Sequence, residues 1–469
     1  MSELRELLVH TANEIADYRH RVARDRVFPD LDPAALRAAF GGPLPSGPTA
    51  PAKVIDDLVA AAGPGLVATT GPRYFGFVIG GALDSATAAD MLATGWDQPA
   101  YNGISAPAAA VVEEISGAWL KQLLGLPETA SFGFVTGAQA ANTVGLAAAR
   151  HHVLKAAGYD VERDGLGGAP RVRVIASVER HATIDRSLRL LGFGSALVEE
   201  VPADGNGAID TGRLQEVLEA APPGAAIVVL QSGNVNTGAC DDLGGATAVA
   251  HEHGAWVHVD GAFGLWAAAS PATRHLVAGI ETADSWGCDG HKWLNVPYDS
   301  GYVFCAHADA HAAAMAYTAA YLALPGVDAV RGPGDFVPES SRRARGLATW
   351  AAIRELGRDG VAELVDRCCA LATRFAERLD AAGGVDVVND VVLNQVLVRF
   401  GTGSDAERDA TTDRVIDEVQ RGGECWMGAT TWHGMRLMRI SVSNWSTTEA
   451  DVDRSVAAIL AADRVTRTP

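Results

Sequence analysis

Between Phe132 and Cys305, short runs rich in β-branched and aromatic residues (FGFV, VRVIAS, ALVEEV, AIVVLQ, AWVHVD and GYVFC) alternate with stretches of helical pattern. No other feature constrains the fold as tightly. Apolar strands that alternate with helices are buried on both faces, which requires a mostly parallel α/β sheet covered by helices. The pocket of such a sheet lies beyond the carboxyl ends of its strands. Residues that follow these runs are therefore the first place to look for chemistry.

The flanking segments read differently. Leu4, Leu7, Leu8 and Ile15 recur at helical spacing, a second helical stretch runs from about Val54 to Ala62, and GGPLPSGPTAP (Gly41 to Pro51) connects them. Residues 1–95 are thus expected to form an N-terminal helical arm without a core of its own. Residues 96–332 form the large α/β domain. After about Pro333 a helical region runs through Arg343 to Leu379, followed by VLNQVLVRF, a charged helix from Ser404, MRLMRISVS and a last helix from Thr447. That order describes a small C-terminal α+β domain over 333–469. A chain of 469 residues exceeds the length at which one core keeps growing, so two domains are expected.

Composition excludes several functions. Lys and Arg number 38 against 57 Asp and Glu, a formal charge of -19, which repels nucleic acid and anionic membrane. The densest basic run, Arg342, Arg343 and Arg345, is flanked by Glu339 and Glu355 and reads as a solvated or site-lining cluster. The N-terminus mixes acids and bases and lacks a long apolar stretch, so neither a signal peptide nor a membrane span is expected. Six cysteines without a C-x-x-C pair suggest reduced thiols of a cytoplasmic protein, with no structural zinc. His251 and His253 in AHEHGAW do not match H-E-x-x-H and read as helix-end residues.

Lysine is rare here: of the 38 basic residues only Lys53, Lys121, Lys155 and Lys292 are lysines, and 38 minus 4 leaves 34 arginines. Lys292 sits in DSWGCDGHKWLNVPYDSGYVF, among Trp, Gly and apolar residues. A desolvated amine has a lowered pKa and forms an imine, which a guanidinium does not. The other reading is a lysine whose stem packs on Trp293 while its head reaches solvent.

Three further motifs bear on that choice. In HVDGAFGLW, Asp260 follows an apolar strand, where a carboxylate pairs with a cation such as a protonated ring nitrogen or caps a helix. FVTGAQAANTVGLAAARHH is a strand, a small-residue turn and an Ala-rich helix whose first amides suit a phosphate, although a capped core helix has the same pattern. Here Gly137 permits a tight turn, and Ala138 and Gln139 supply main-chain donors; the motif is neither a Walker loop nor a dinucleotide fingerprint. In SVERHATIDRSLRLLG, His181 opens a helix after a strand, placed to stack on a flat ring or to act as a cap.

An imine-forming lysine, a phosphate seat, a carboxylate for a ring nitrogen and a stacking imidazole are the components of a pyridoxal 5′-phosphate (PLP) site. In their order, TGAQAAN, His181, HVDGAFG and DGHKW resemble the PLP-dependent group II decarboxylase family of fold-type I enzymes, which includes glutamate and aromatic amino-acid decarboxylases. PRYFGFV, SAPAAAVVEEISGAWLKQLLGLP and RISVSNWSTTEADVDRSVAAI extend the resemblance over most of the chain. It implies a mostly parallel mixed sheet flanked by helices. It also implies that Lys292 forms the internal aldimine, Asp260 binds the pyridine nitrogen, His181 stacks on the ring and Ala262 packs on its other face. His291 and the Ala138 and Gln139 amides would hold the phosphate, with Asn236 and Thr237 nearby. Arg439 is either a partner for a substrate carboxylate or a surface strand residue. Tyr74, Phe75, Phe77, Trp96 and Tyr101 either line an aromatic-friendly pocket or serve as core and interface anchors. Members of this family build shared sites in homodimers, so a homodimer is expected.

Two departures from the family pattern matter. Asp289 stands where the family usually has Asn; an anion beside a phosphate would repel it, so Asp289 is expected to turn away or to be protonated. The segment LPGVDAVRGPGDFVPESSRRARG aligns with a catalytic loop that often carries a proton-donating tyrosine, and Phe336 stands in its place. Phenylalanine donates no proton. The expected activity is decarboxylation of an L-amino acid to its amine and CO2. The alternatives are oxidative deamination to an aldehyde, another PLP lyase or aminotransferase reaction, and a non-enzymatic relative that keeps the fold.

Overall fold

A computed structural model describes residues 3–30, 32–317 and 332–467. The first part of the loop read above, residues 324–331, lies outside the described residues. The chain groups into two compact units: 80–372 with 389–395, and 1–79 with 373–388 and 396–469.

The larger unit holds a seven-stranded sheet of β1 (Ser131–Val135), β2 (Arg173–Ser177), β3 (Val198–Val201), β4 (Ala226–Gln231), β5 (Trp256–Asp260), β6 (Ser285–Asp289) and β7 (Gly301–Cys305). Their spatial order is β1-β7-β6-β5-β4-β2-β3. Strands β6, β5, β4, β2 and β3 run parallel, whereas β7 is antiparallel to both β1 and β6. The sheet is mostly parallel and mixed, as the alternating pattern requires. Strands β1, β4, β5, β6 and β7 are buried along their whole length, which explains why they read as apolar runs instead of alternating ones.

One helix, Ala138–Ala156, follows β1 and crosses the sheet. Its approach is close: a Cβ on Gly145 would lie 2.6 Å from Cε1 of His258, so only glycine fits. His258, fully buried on β5, bonds Asn142 Oδ1 of that helix through Nε2 (3.1 Å) and Ser285 Oγ of β6 through Nδ1 (2.8 Å). This strut fixes the start of the helix against the strand ends that carry the site.

Of the basic run, Arg342 is buried and Arg345 half-buried, whereas Arg343 is exposed. The side chains of Arg342 and Glu113 are both fully buried and pair at 2.8 Å, and Arg342 also donates to the carbonyls of Ala100 and Phe134. Arg343 pairs with Asp90 and Arg345 with Asp299. Each guanidinium is spent on holding segments of the larger unit together.

The smaller unit contains a four-stranded sheet, β10-β11-β9-β8, formed by β8 (Val385–Val387), β9 (Gln395–Phe400), β10 (Gly428–Trp432) and β11 (Met435–Ser441). Helices Asp405–Gly422 and Glu449–Arg467 accompany it, the first opened by a Ser404/Glu407 capping box. N-terminal residues join this unit through the backbone: Phe75 N–H donates to Trp426 O, Trp426 N–H to Arg73 O and Ser441 N–H to Phe75 O. Tyr74 stacks on Trp426 with centroids 5.0 Å apart. The preceding helices Glu3–Arg21, Pro33–Phe40 and Pro51–Ala62 bury none of their residues.

Candidate active site

The carboxyl ends of β1, β4, β5 and β6, with the segment after β2, converge on a cavity of about 370 Å³ in the larger unit. Thr136, Gly137, Ala138 and Gln139 come from the exit of β1, and His181 from the segment after β2. Gln231, Gly233 and Val235 follow from β4, Asp260, Ala262 and Phe263 from β5, and Asp289, His291, Lys292 and Tyr298 from β6. This is where an open α/β sheet places its ligands, and the volume suits a small-molecule site.

Asp260 ends β5 and is 5% exposed; its Oδ1 accepts the Ala262 N–H at 3.2 Å. Burial holds its carboxyl above the usual carboxylate range, against the opposing pull of His181 and Lys292. A cation that reaches it would be bound strongly. His181 is the N-cap of helix Ala182–Leu190. Its Nδ1 accepts from the Thr183 N–H (3.3 Å) and lies 2.8 Å from the Thr183 hydroxyl, which orients the ring and leaves Nε2 to carry the proton. His291 accepts the Ser300 N–H on Nδ1 (3.1 Å) and stacks on Tyr298 with centroids 4.2 Å apart. Burial lowers its pKa, so it is a neutral imidazole with a donor at Nε2.

Helix Ala138–Ala156 begins without a side-chain cap, so its first amides have no partner within the helix. Gly137 has an extended backbone (φ 166°, ψ 178°) that any residue adopts, so a tight turn is not what it provides. Closeness is. A Cβ there would meet His291 Cε1 at 3.0 Å and Asp289 Oδ1 at 3.1 Å. The Gln139 amide nitrogen bonds Ser187 Oγ (2.9 Å) and Thr183 O (3.2 Å), while its Oε1 is buried without a partner among the described residues.

Asp289 does not turn away. Its Oδ1 accepts the Ala138 N–H at 2.5 Å, its Oδ2 pairs with Lys292 Nζ at 2.9 Å, and Oδ1 lies 3.3 Å from His291 Nε2. The reason is electrostatic: a helix start, an ammonium and an imidazole N–H together form a favourable seat for a buried carboxylate. Lys292 Nζ also lies 5.9 Å from the centre of the buried Phe263 ring, and its side chain is only 20% exposed. Packing on Trp293 with a solvated head is therefore not its state.

The sequence model of the pyridoxal-dependent decarboxylase conserved domain matches residues 33–401. The chain belongs to that family. Tryptophan decarboxylase 1 of Oryza sativa subsp. japonica is 26% identical over 94% of this chain and 90% of its own length. An aromatic-L-amino-acid decarboxylase of Bacillus atrophaeus is 25% identical over 95% and 93%. The crystal structure of Oryza sativa TDC with PLP and tryptamine covers 99% of this chain and 98% of its own, with a TM-score of 0.92 at 24% identity. The fold is that of a fold-type I PLP enzyme, and the chain is a PLP-dependent carboxy-lyase acting on an amino acid. The donor set fits the cofactor: a buried carboxyl for a ring cation, a lysine amine, a neutral His291 N–H and the start of a helix whose N-cap residue, Gly137, has no side chain to cap it.

Several expected site residues are not among those that line this cavity. Thr237 is buried, with its hydroxyl donating to Asn206 O at 2.6 Å, and the Asn236 N–H donates to Asn234 Oδ1; neither residue lines the cavity, because the turn consumes its own polar groups. Tyr74, Phe77 and Arg439 belong to the smaller unit and are not among the lining residues. Tyr74 is a core residue there, its phenol pushed up to about 12 by burial. Phe336 sets its ring edge-on to His311 at 5.1 Å, and its carbonyl accepts from His311 Nε2 at 2.9 Å; it also does not line the cavity. Conversely, Gln231, Val235, Phe263, Thr183 and Tyr298 line it without having been singled out. Gln231, a polar end to the apolar run AIVVLQ, carried a usable signal.

Proposed function

We propose that this cavity binds PLP and an aromatic L-amino acid, and that the product is the corresponding amine. The observation that carries the reading is that a buried carboxyl, Asp260, and an amine, Lys292, line one cavity at neighbouring strand exits. When bound, PLP supplies an electron sink for the pair released as the Cα–carboxylate bond breaks. Lys292 would hold the cofactor's aldehyde carbon, and Asp260 would pair with the ring-nitrogen cation and keep its proton in place. His181, oriented by Thr183, and Ala262 would flank the ring. His291 Nε2 and the first amides of the helix would hold the phosphate. An aromatic side chain is supported by the activities named for both relatives and by Phe263 and Tyr298 in the lining.

Exposed apolar residues on the N-terminal helices (Leu4, Leu8, Val9, Leu58) support a homodimer in which these helices cover a second copy. Free cysteines, four of them buried, suit a reducing, cytoplasmic setting. The test is a product profile by mass spectrometry after the purified holoprotein has met a mixture of amino acids, with and without O2. Aromatic amines and CO2 in both conditions support the reading. Aldehyde, ammonia and peroxide that appear only with O2 replace decarboxylation by oxidative deamination, and no turnover of any aromatic amino acid refutes the substrate class.

A further inference from the structure

The donors that converge on the start of helix Ala138–Ala156 all engage one carboxylate of the chain itself. Asp289 takes the Ala138 N–H at 2.5 Å, the Lys292 ammonium at 2.9 Å and the approach of His291 Nε2 at 3.3 Å. The Asp289 side chain is 3% exposed, so water does little to screen it. From this geometry we propose that Asp289 is an internal competitor for the cofactor, occupying with its carboxylate the donors that a phosphate and an aldehyde require. The inference rests on the reading that this cavity is the PLP site.

Two charges make the competition strong. A phosphate that reaches the helix start brings negative charge next to a buried anion. Joining Lys292 to the cofactor's aldehyde carbon breaks the carbonyl bond, releases its oxygen as water and replaces the free ammonium paired with Asp289 by an imine nitrogen with at most one proton to donate. Loading therefore costs Asp289 a hydrogen-bond donor it must share and the cation it is paired with. The side chain cannot leave easily, because it ends a buried central strand: Asp289 N–H donates to Ala262 O at 2.9 Å, and the residue is in register with Gly301 of β7. Asp289 is thus a determinant of cofactor affinity. It makes PLP exchangeable, so that the fraction of active enzyme follows the free cofactor concentration.

Asp289→Asn keeps the shape and the acceptor for the Ala138 N–H while removing the charge; Asp289→Ser is a second neutral variant should the first fold poorly. Holoproteins of wild type and both variants are brought to equilibrium dialysis against graded PLP, and bound cofactor is read from visible absorbance. A parallel series uses pyridoxal, which lacks the phosphate. Both variants are expected to retain PLP at a free concentration about ten-fold lower or less, since the like charge is removed from a buried site, with a smaller gain for pyridoxal. Equal or weaker PLP retention by the neutral variants overturns the inference, as does an equal gain for pyridoxal. A wild-type protein that binds no PLP at any concentration refutes the site assignment itself, and with it this inference.

Discussion

Replacing Asp260 by Asn separates what this residue does for chemistry from what it costs the fold. Asn has the same shape and retains an acceptor for the Ala262 N–H, so the 3.2 Å contact survives. Only the charge is lost, at a side chain 5% exposed whose other charged neighbours are His181, Lys292 and Asp289. Breaking a desolvated ion pair costs roughly 3–5 kcal/mol. At about 1.4 kcal/mol per factor of ten in rate, turnover should fall by about 10²- to 10⁴-fold. The assay is CO2 release at saturating PLP, with bound cofactor quantified in the same sample so that lost occupancy is not mistaken for lost chemistry. Without cofactor the sign reverses. Burial holds the Asp260 carboxyl above its ordinary value, so the folded chain keeps a proton that the unfolded chain has released, and stability falls as pH rises above the ordinary carboxylate range. Asn removes that penalty, and the cofactor-free variant should melt higher than cofactor-free wild type at neutral pH. Near-normal turnover with full cofactor occupancy, or a lower melting temperature in the cofactor-free variant, refutes the reasoning.

Other substitutions test other parts of the account. Glu113→Gln leaves the fully buried Arg342 charge without its partner and should destabilise the protein by about 3–5 kcal/mol in denaturant titration. His258, buried with its pKa lowered to about 3, must stay neutral in the folded chain while the unfolded chain gains a proton below its ordinary value. Stability should therefore decline as pH falls from about 6.5 towards 3, by up to roughly 1.4 kcal/mol per pH unit, and His258→Gln should flatten that slope in pH-resolved thermal melts. Phe336→Tyr should leave the ratio of amine to aldehyde unchanged in product analysis, because the ring at this position packs on His311 outside the cavity lining.

Most of the larger unit was legible in the sequence because its strands are buried on both faces and so read as continuous apolar runs. Strand β6 was not read as one: Ser285-Trp286-Gly287-Cys288-Asp289 lacks β-branched residues, and its extended state comes from being clamped between β5 and β7. The cavity-lining residues are legible in the sequence where each ends or directly follows an apolar strand, as Asp260 does, or sits next to the lysine. Tyr298 reaches the cavity from the connection between β6 and β7 and has no local pattern. The Thr237 hydroxyl bonds the Asn206 carbonyl, which the sequence does not announce, because a polar turn looks the same whether its hydroxyl faces a ligand or the backbone. The orientation of Asp289 is set by attraction to Lys292 and the Ala138 N–H, partners that only the fold brings together and that outweigh the repulsion its charge suggests beside a phosphate seat. The pairing of Phe75 with Trp426 joins residues some 350 positions apart, which no periodicity can announce.

With only four lysines in the chain, the seat of the cofactor can be read directly. The holoprotein is treated with borohydride, digested and mapped by peptide mass spectrometry. A phosphopyridoxyl group on the peptide that contains Lys292, and on no other, is the expected result. The same group on a peptide carrying Lys53, Lys121 or Lys155, or an unmodified Lys292 peptide from protein that contains bound PLP, would contradict the account at its centre.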